Sequence, residues 1–151
     1  MSSDLPPIIL KPVGIVKSDV KKPVSERQNL SEIVSEIVID EYLTEALDGI
    51  EGFSHVIVLY WLDRASSEQL PLKVHPMGNK EVQRQGIFAV RTPNRPNRIA
   101  KTTVRLISRQ ANILKVEGLD ALDGSLVIDI KPFIPGYDSP ENARVPTWIR
   151  K

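Results

Sequence analysis

The sequence predicts a mainly β protein: a small closed or nearly closed β-barrel of about seven strands with one short helix. The 151-residue chain has the length of a single domain. Its apolar segments are short, rich in β-branched residues and separated by turn residues, a pattern typical of barrels and sandwiches. Its 12 prolines interrupt long helices, because proline lacks the backbone N–H that a helix interior requires.

The predicted strands follow the apolar runs in chain order. Residues 8–16 are broken by Pro12 and Gly14, which is typical of a kinked edge strand. Residues 54–62 are almost continuously apolar and predict a central strand buried on both faces. Residues 101–108 alternate, with Val104 and Leu106 on one face and Arg105 on the other. The remaining strands are predicted at residues 35–40, 86–90, 112–116 and 126–130.

The predicted helix covers residues 41–47, which begin on acidic side chains and end at Asp48-Gly49, a good stop signal. Residues 138–151 contain two prolines and few strand cues. We therefore expect a barrel domain over residues 1–137 and an extended C-terminal tail over residues 138–151. Trp148 and Ile149 would hold this tail down, for example against a second subunit.

Composition excludes several classes of protein. The chain has no cysteine, which excludes a disulfide scaffold, a thiolate zinc site and a cysteine nucleophile. With two histidines, no metal site is expected. The first residues lack the apolar stretch of a signal peptide, and the longest apolar run is far below the roughly 20 residues that cross a bilayer. A cytoplasmic protein is expected.

Charge is distributed unevenly along the chain. Residues 26–51 hold eight acidic side chains and one base, whereas residues 82–116 hold eight bases and no acid. This asymmetry indicates a basic face for an anion or for RNA. The alternative is that these bases are solvated or pair with the acidic half.

The segment 91–98 (RTPNRPNR) carries three arginines on a loop that two prolines stiffen. A stiff loop loses little entropy on binding, which suits anion capture by guanidinium groups. We predict that Arg95 and Arg98 contact RNA. The alternative is a Pro-rich turn with solvated arginines.

Two further segments place carboxylates near strand ends. Asp120 and Asp123 lie in a loop that ends at Gly124. Such a loop needs no role beyond a hairpin turn, although a carboxylate at a strand end can also bind a ribose hydroxyl pair. Asp129 and Lys131 lie on one face of a strand. They form either a surface ion pair or a catalytic proton acceptor held beside a cation.

No Walker loop, dinucleotide fingerprint or nucleophile elbow is present. Five segments together, however, resemble those of the TrmO/YaeB family, also called TsaA-like, and occur in the family's order. They are residues 52–55 (GFSH), 75–79 (HPMGN), 86–97 (GIFAVRTPNRPN), 118–124 (GLDALDG) and 129–132 (DIKP).

The resemblance implies a homodimeric β-barrel that binds S-adenosylmethionine and methylates N6 of threonylcarbamoyladenosine beside the tRNA anticodon. It assigns cofactor binding to a set of polar and loop residues: Arg27, Gln28, Asp63, Arg64, Arg91, Lys101, Asp120, Ala121, Leu122 and Asp123. Where the family usually reads Asn-Pro-Ile-Gly, this chain has Arg98 and Ala100 at the second and fourth positions. The added methyl of Ala100 narrows a position where glycine permits close approach of a ligand.

Two hypotheses follow. The first is an S-adenosylmethionine-dependent tRNA methyltransferase in which Asp129 takes the proton from N6 and Lys131 assists or binds the threonyl carboxylate. The second is a protein that binds S-adenosylmethionine or a nucleotide without methylating tRNA, a sensor or interaction module. The altered loop at Arg98 and Ala100 favours the second.

Overall fold

The computed structural model describes residues 4–21, 30–63 and 69–149. Within these residues six antiparallel strands close into a barrel in the order β1-β2-β7-β6-β3-β8, and two short strands form a separate ribbon, β4-β5. The barrel strands are β1 (Gly14–Lys17), β2 (Val34–Ile39), β3 (His55–Trp61), β6 (Ile99–Gln110), β7 (Ile113–Glu117) and β8 (Leu126–Pro132). The ribbon strands are β4 (Lys73–Val74) and β5 (Gln85–Gly86), and the α-helix of the described residues is α1 (Pro135–Asp138).

The predicted fold class is confirmed: the protein is mainly β, with a closed barrel and a short helix. Alternation of inward and outward side chains explains why these sequences form it. Every second residue of β3 is buried in the barrel, and these residues pack with Val104 of β6 and Val127 of β8. Short runs of β-branched residues therefore fill a core that six strands share.

The predicted helix and one predicted strand have different outcomes in the structure. Residues 41–47 form a helix with the predicted bounds, Glu41–Leu47, which is of the 3₁₀ type and is not capped by the side chain of Asp40. Such short segments rarely gain enough from α-helical hydrogen bonds to offset nucleation. Residues 86–90 contain a 3₁₀ turn, Ile87–Ala89, instead of a strand. The apolar run was misleading there, because its residues do not share a buried environment: Ile87 is 4% exposed, whereas Phe88 is 79% exposed.

The first strand is shorter than predicted and is not an edge. β1 begins at Gly14, after the residues that Pro12 interrupts, because proline cannot donate a ladder hydrogen bond. It pairs with β2 on one side and β8 on the other. Four residues of β1 therefore close the barrel.

Two strand pairs contain a β-bulge. Leu59 of β3 lies opposite Asp129, whereas the next residue, Tyr60, lies opposite Val127, so Ile128 is an extra residue in β8. A similar shift separates Leu106 and Ser108 of β6 in their pairing with β7. Bulges bend a strand and change which way its side chains point.

No helix in the described part of the chain is long and apolar enough to span a membrane. Between Ser139 and Ile149 the described chain forms turns and irregular structure, with Trp148 partly buried and Ile149 exposed.

Gly14 allows β1 to approach β2 closely. A Cβ atom at this position would lie 2.6 Å from the carbonyl oxygen of Val38, well inside van der Waals contact. We expect Gly14→Ala to destabilise the fold by about 1–3 kcal/mol, because the closing strand must shift. Urea unfolding checks this value. Gly52→Ala is the matched control, since a Cβ there meets nothing within 4 Å, and equal stability of the two variants would contradict the expectation.

Candidate functional site

A cleft of about 860 Å³ opens at the end of the barrel where β3 finishes and β6 begins. Its walls are the end of β3, the start of β6, the loop that begins at Arg91 and the loop of residues 120–125. Seven residues that the family resemblance assigned to the cofactor line it together: Asp63, Arg91, Lys101, Asp120, Ala121, Leu122 and Asp123. The other three, Arg27, Gln28 and Arg64, lie outside the described residues.

Arg95 braces the arginine loop, residues 91–98, from within. Its Nη1 donates hydrogen bonds to the carbonyl oxygens of Val90 (3.1 Å) and Thr92 (3.2 Å), and the side chain is partly buried and lines the cleft. The Arg95 side chain is therefore partly engaged within its own loop, and its contact with RNA stays a prediction. Arg91, in contrast, is exposed at the cleft.

The far end of the same loop is attached to the barrel. The backbone N–H of Leu62 donates to the carbonyl oxygen of Arg98 at 2.9 Å, and that of Ile99 donates to Asn97 at 2.8 Å. The Arg98 side chain is partly exposed and does not line the cleft. The two arginines predicted to contact RNA thus occupy different environments.

Asp123 connects the aspartate loop, residues 120–125, to the segment after β1. Its Oδ1 accepts from the backbone N–H of Ser18 at 3.0 Å, and its Oδ2 accepts from Lys21 Nζ at 2.5 Å. The hydrogen bond from Lys21, followed by that from Ser18, lowers the pKa of the Asp123 carboxyl below its ordinary value. The backbone adds two more ties, from Asp123 N to Val20 O and from Gly124 N to Val16 O, both 2.8 Å.

Tyr60 is a cleft residue that the sequence reasoning missed. It ends the inward row of β3, is 3% exposed, and its hydroxyl donates to the backbone carbonyl of Asp120 while bonding Thr102 Oγ1 at 3.0 Å. A tyrosine at the last position of an otherwise aliphatic inward row was the available signal, since a buried tyrosine hydroxyl requires a partner.

Asp129 and Lys131 form an ion pair on the outside of the barrel. Asp129 Oδ2 lies 2.9 Å from Lys131 Nζ, and their side chains are 45% and 60% exposed. Neither residue lines the cleft. The two residues lie on one face of β8, as the sequence predicts, because Ile130 between them faces the core and the alternation of the strand turns both outward. Their catalytic role stays a prediction.

Acidic side chains partly neutralise the basic window, the segment of residues 82–116 that holds eight bases. Arg109 Nη1 lies 3.0 Å from Asp48 and 3.6 Å from Glu51, and Arg105 pairs with Glu117 across β6 and β7. The alternative interpretation, that some of these bases pair with the acidic half, therefore holds for Arg109. In the described part of the chain, no cluster of three or more His, Asp or Glu side chains could hold a metal ion.

The Asp123 contacts make stability depend on pH. Because the folded-state pKa lies below the ordinary value of 3.8, the ionised carboxyl stabilises the fold above that pH and loses this effect as the pH falls through the folded pKa. We expect Asp123→Asn to lower the melting temperature at pH 7, with a difference from wild type that shrinks below about pH 4. Asp19→Asn, at an exposed neighbour, is the control. A difference that stays constant across this range would contradict the assignment.

Known proteins resemble this chain both in sequence and in structure. An S-adenosyl-L-methionine-binding protein of Archaeoglobus fulgidus is 44% identical over 133 residues, which cover 87% of this chain and 93% of that protein. The tRNA (adenine(37)-N6)-methyltransferase of Homo sapiens is 36% identical over 101 residues, 67% of this chain and 23% of that protein. The crystal structure of TrmO from Pseudomonas aeruginosa superposes with a TM-score of 0.74 at 31% identity.

That superposition covers 91% of this chain and 61% of the Pseudomonas chain, so the chain spans less than two thirds of that solved TrmO. The sequence profile of the tRNA-methyltransferase O N-terminal domain matches residues 17–139. That range contains the barrel strands β2 to β8 and both loops of the cleft. The chain therefore belongs to the family of tRNA-methyltransferase O N-terminal domains.

Proposed function

We propose that this protein is an S-adenosylmethionine-dependent methyltransferase that methylates N6 of threonylcarbamoyladenosine next to the tRNA anticodon. The observation that carries the proposal is the cleft, which gathers seven residues that the family resemblance assigned to the cofactor. The Homo sapiens relative, named a tRNA (adenine(37)-N6)-methyltransferase, supports the tRNA part.

The cleft has the size and the charges that S-adenosylmethionine requires. Its volume of about 860 Å³ lies within the range of small-molecule sites. Arg91 and Lys101 place cations in its lining, whereas Asp63 and Asp120 place carboxylates there. A ligand that carries a carboxylate, a cationic centre and a nucleoside can therefore find a partner for each group.

The cofactor supplies a methyl group that is already activated, so the protein has mainly to bind and orient the two reactants. Arg91 and Lys101 would hold the cofactor carboxylate, and the braced loop at Arg95 would keep Arg91 in place. The buried residues beneath the cleft, Tyr60 and Ala121 among them, exclude water from its floor.

The acceptor would lie across the outer face of β3. Leu59 pairs with Lys101 of β6 on one side and with Asp129 of β8 on the other, so the three share one outward row. Neighbouring strands are about 4.8 Å apart, which puts Asp129 roughly 10 Å from the cleft edge at Lys101. A nucleotide that extends out of the cleft could span that distance, with Asp129 as proton acceptor and Lys131 beside it.

The homodimer also belongs to this proposal. The C-terminal part of the described chain exposes apolar side chains that a monomer would leave in water: Ile134, Tyr137, Val145 and Ile149. A second copy covering them would bury this surface. The acceptor RNA would contact the basic window, where the Arg98 side chain is partly exposed.

A second candidate is a protein that binds the cofactor but does not methylate tRNA. The Archaeoglobus fulgidus relative, matched over 93% of its length, is described as a binding protein. Ala100, the departure from the family pattern, lies opposite Tyr60 and lines the cleft. Methyl transfer to tRNA separates the two candidates.

We expect transfer of a labelled methyl group from S-adenosylmethionine to unmethylated threonylcarbamoyladenosine in tRNA, detected by mass spectrometry of the nucleosides. Arg91→Ala should raise the cofactor Kd by roughly tenfold, because a charged hydrogen bond is lost. Asp129→Asn should slow transfer and leave the cofactor Kd unchanged, since Asp129 is outside the cleft. Cofactor binding without any labelled nucleoside would refute the first candidate and support the second.

We expect Arg98→Ala to weaken tRNA binding and to reduce the slope of log affinity against log salt by roughly one unit per lost phosphate contact. Arg95→Ala should act differently, lowering cofactor affinity with little change in the salt slope, because its donors hold the loop. Salt titrations of both variants test this, and light scattering on the same samples gives the number of chains. An unchanged slope in Arg98→Ala would remove Arg98 from the RNA surface.

A further inference from the structure

The hydroxyl of Tyr60 fixes the backbone of the aspartate loop at one point. It donates to the carbonyl oxygen of Asp120, and it also bonds Thr102 Oγ1 at 3.0 Å. Because Tyr60 uses its only proton on Asp120, the Thr102 hydroxyl is the donor in the second contact. Burial raises the pKa of the Tyr60 phenol, so the hydroxyl keeps the proton that it donates at neutral pH.

The two carboxylates of the loop are not equivalent. Asp123 is engaged on both oxygens, by Ser18 and Lys21. Asp120 is exposed and lines the cleft, and among the described residues no hydrogen bond or ion pair reaches its carboxylate. The loop thus contains one carboxylate that anchors it and one that is available to a ligand.

The way the loop is held indicates what Asp120 binds. A cation needs only a nearby negative charge, whereas two adjacent hydroxyls need both carboxylate oxygens in a fixed orientation. Tyr60 fixes the backbone that carries Asp120, from a buried position at the base of the cleft. A site whose supporting groups are locked can accept a pair of hydroxyl donors on one carboxylate.

We infer that Tyr60 is a positioning residue that makes Asp120 selective for ligands with a vicinal diol, such as the ribose of an adenosine-type ligand. The inference rests on the cofactor part of the proposed function and deepens it. It makes Tyr60 a positioning residue, because its hydroxyl acts through the backbone of Asp120.

Calorimetry with two neutral ligands tests the inference without any methyl transfer. The ligands are adenosine and 2′,3′-dideoxyadenosine, which differ in the diol. We expect the wild-type protein to prefer adenosine by roughly tenfold or more, since the deoxy ligand leaves the carboxylate unsatisfied. Asp120→Ala and Tyr60→Phe should each bring the preference close to one by weakening adenosine binding, with little effect on the dideoxy ligand.

Val104→Ala is the control for lost stability. Val104 is 1% exposed in the core and does not line the cleft, so this variant should be less stable yet keep the preference for adenosine. If Tyr60→Phe weakened both ligands equally, the hydroxyl would serve only the fold and the inference would fail. If Asp120→Ala weakened S-adenosylmethionine but not adenosine, Asp120 would bind the cationic part and the inference would also fail.

Failure of the inference can be told apart from failure of the proposed function. A wild-type protein that prefers adenosine in a Tyr60-dependent way, yet transfers no methyl group to tRNA, supports the inference and overturns the tRNA activity. A protein that methylates tRNA but shows no preference for the diol overturns the inference alone. A wild-type protein that binds neither adenosine nor S-adenosylmethionine overturns both.

Discussion

The closure of the barrel by β1 is the constraint on which the rest of the structure depends. All four residues of this strand pair with β2, and Gly14 and Ile15 also pair with β8. Gly14 lets the strand approach β2 closely. The chain that leaves β1 then binds Asp123 through Ser18 and Lys21. One short strand thus completes the hydrogen bonding of the sheet and also holds one wall of the cleft.

The two loops of the cleft are rigid for different reasons. The arginine loop is braced by a side chain, Arg95, that bonds two carbonyl groups of its own segment. The aspartate loop is braced from outside, by Lys21 at one point and by the Tyr60 hydroxyl at another. These hydrogen bonds hold both loops in place, and with them the charged side chains of Arg91 and Asp120 that line the cleft.

The sequence predicted the strands best where side-chain alternation alone determines the structure. β2, β3, β6, β7 and β8 lie close to their predicted positions, because a barrel buries every second residue and the apolar pattern records this directly. The ribbon β4-β5 was missed, since two strands of two residues each leave no period to detect. The helix at residues 41–47 was predicted with its observed bounds, although composition does not separate a 3₁₀ helix from an α-helix.

The residues of the candidate site could be predicted from the sequence motifs, but their arrangement in space could not. Motifs 20 to 60 residues apart, such as Asp63, Arg91 and Asp120, line one cleft, and only closure of the barrel brings them together. The hydrogen bonds of Arg95 to its own loop could not be predicted, because a sequence does not reveal which backbone carbonyls lack a donor. The shared face of Asp129 and Lys131 could be predicted from strand alternation, but their distance from the cleft could not, because the three-dimensional pairing of the strands sets it.

The bulge at Ile128 affects how this chain can change in length. With Ile128 as an extra residue, Asp129 faces outward and Val127 faces inward on either side of it. Removing that single residue would leave a regular ladder with both neighbours still on their present faces, whereas a deletion elsewhere in a regular strand reverses every side chain beyond it. Position 128 is therefore the place in β8 where relatives of this protein can differ by one residue and keep the same barrel.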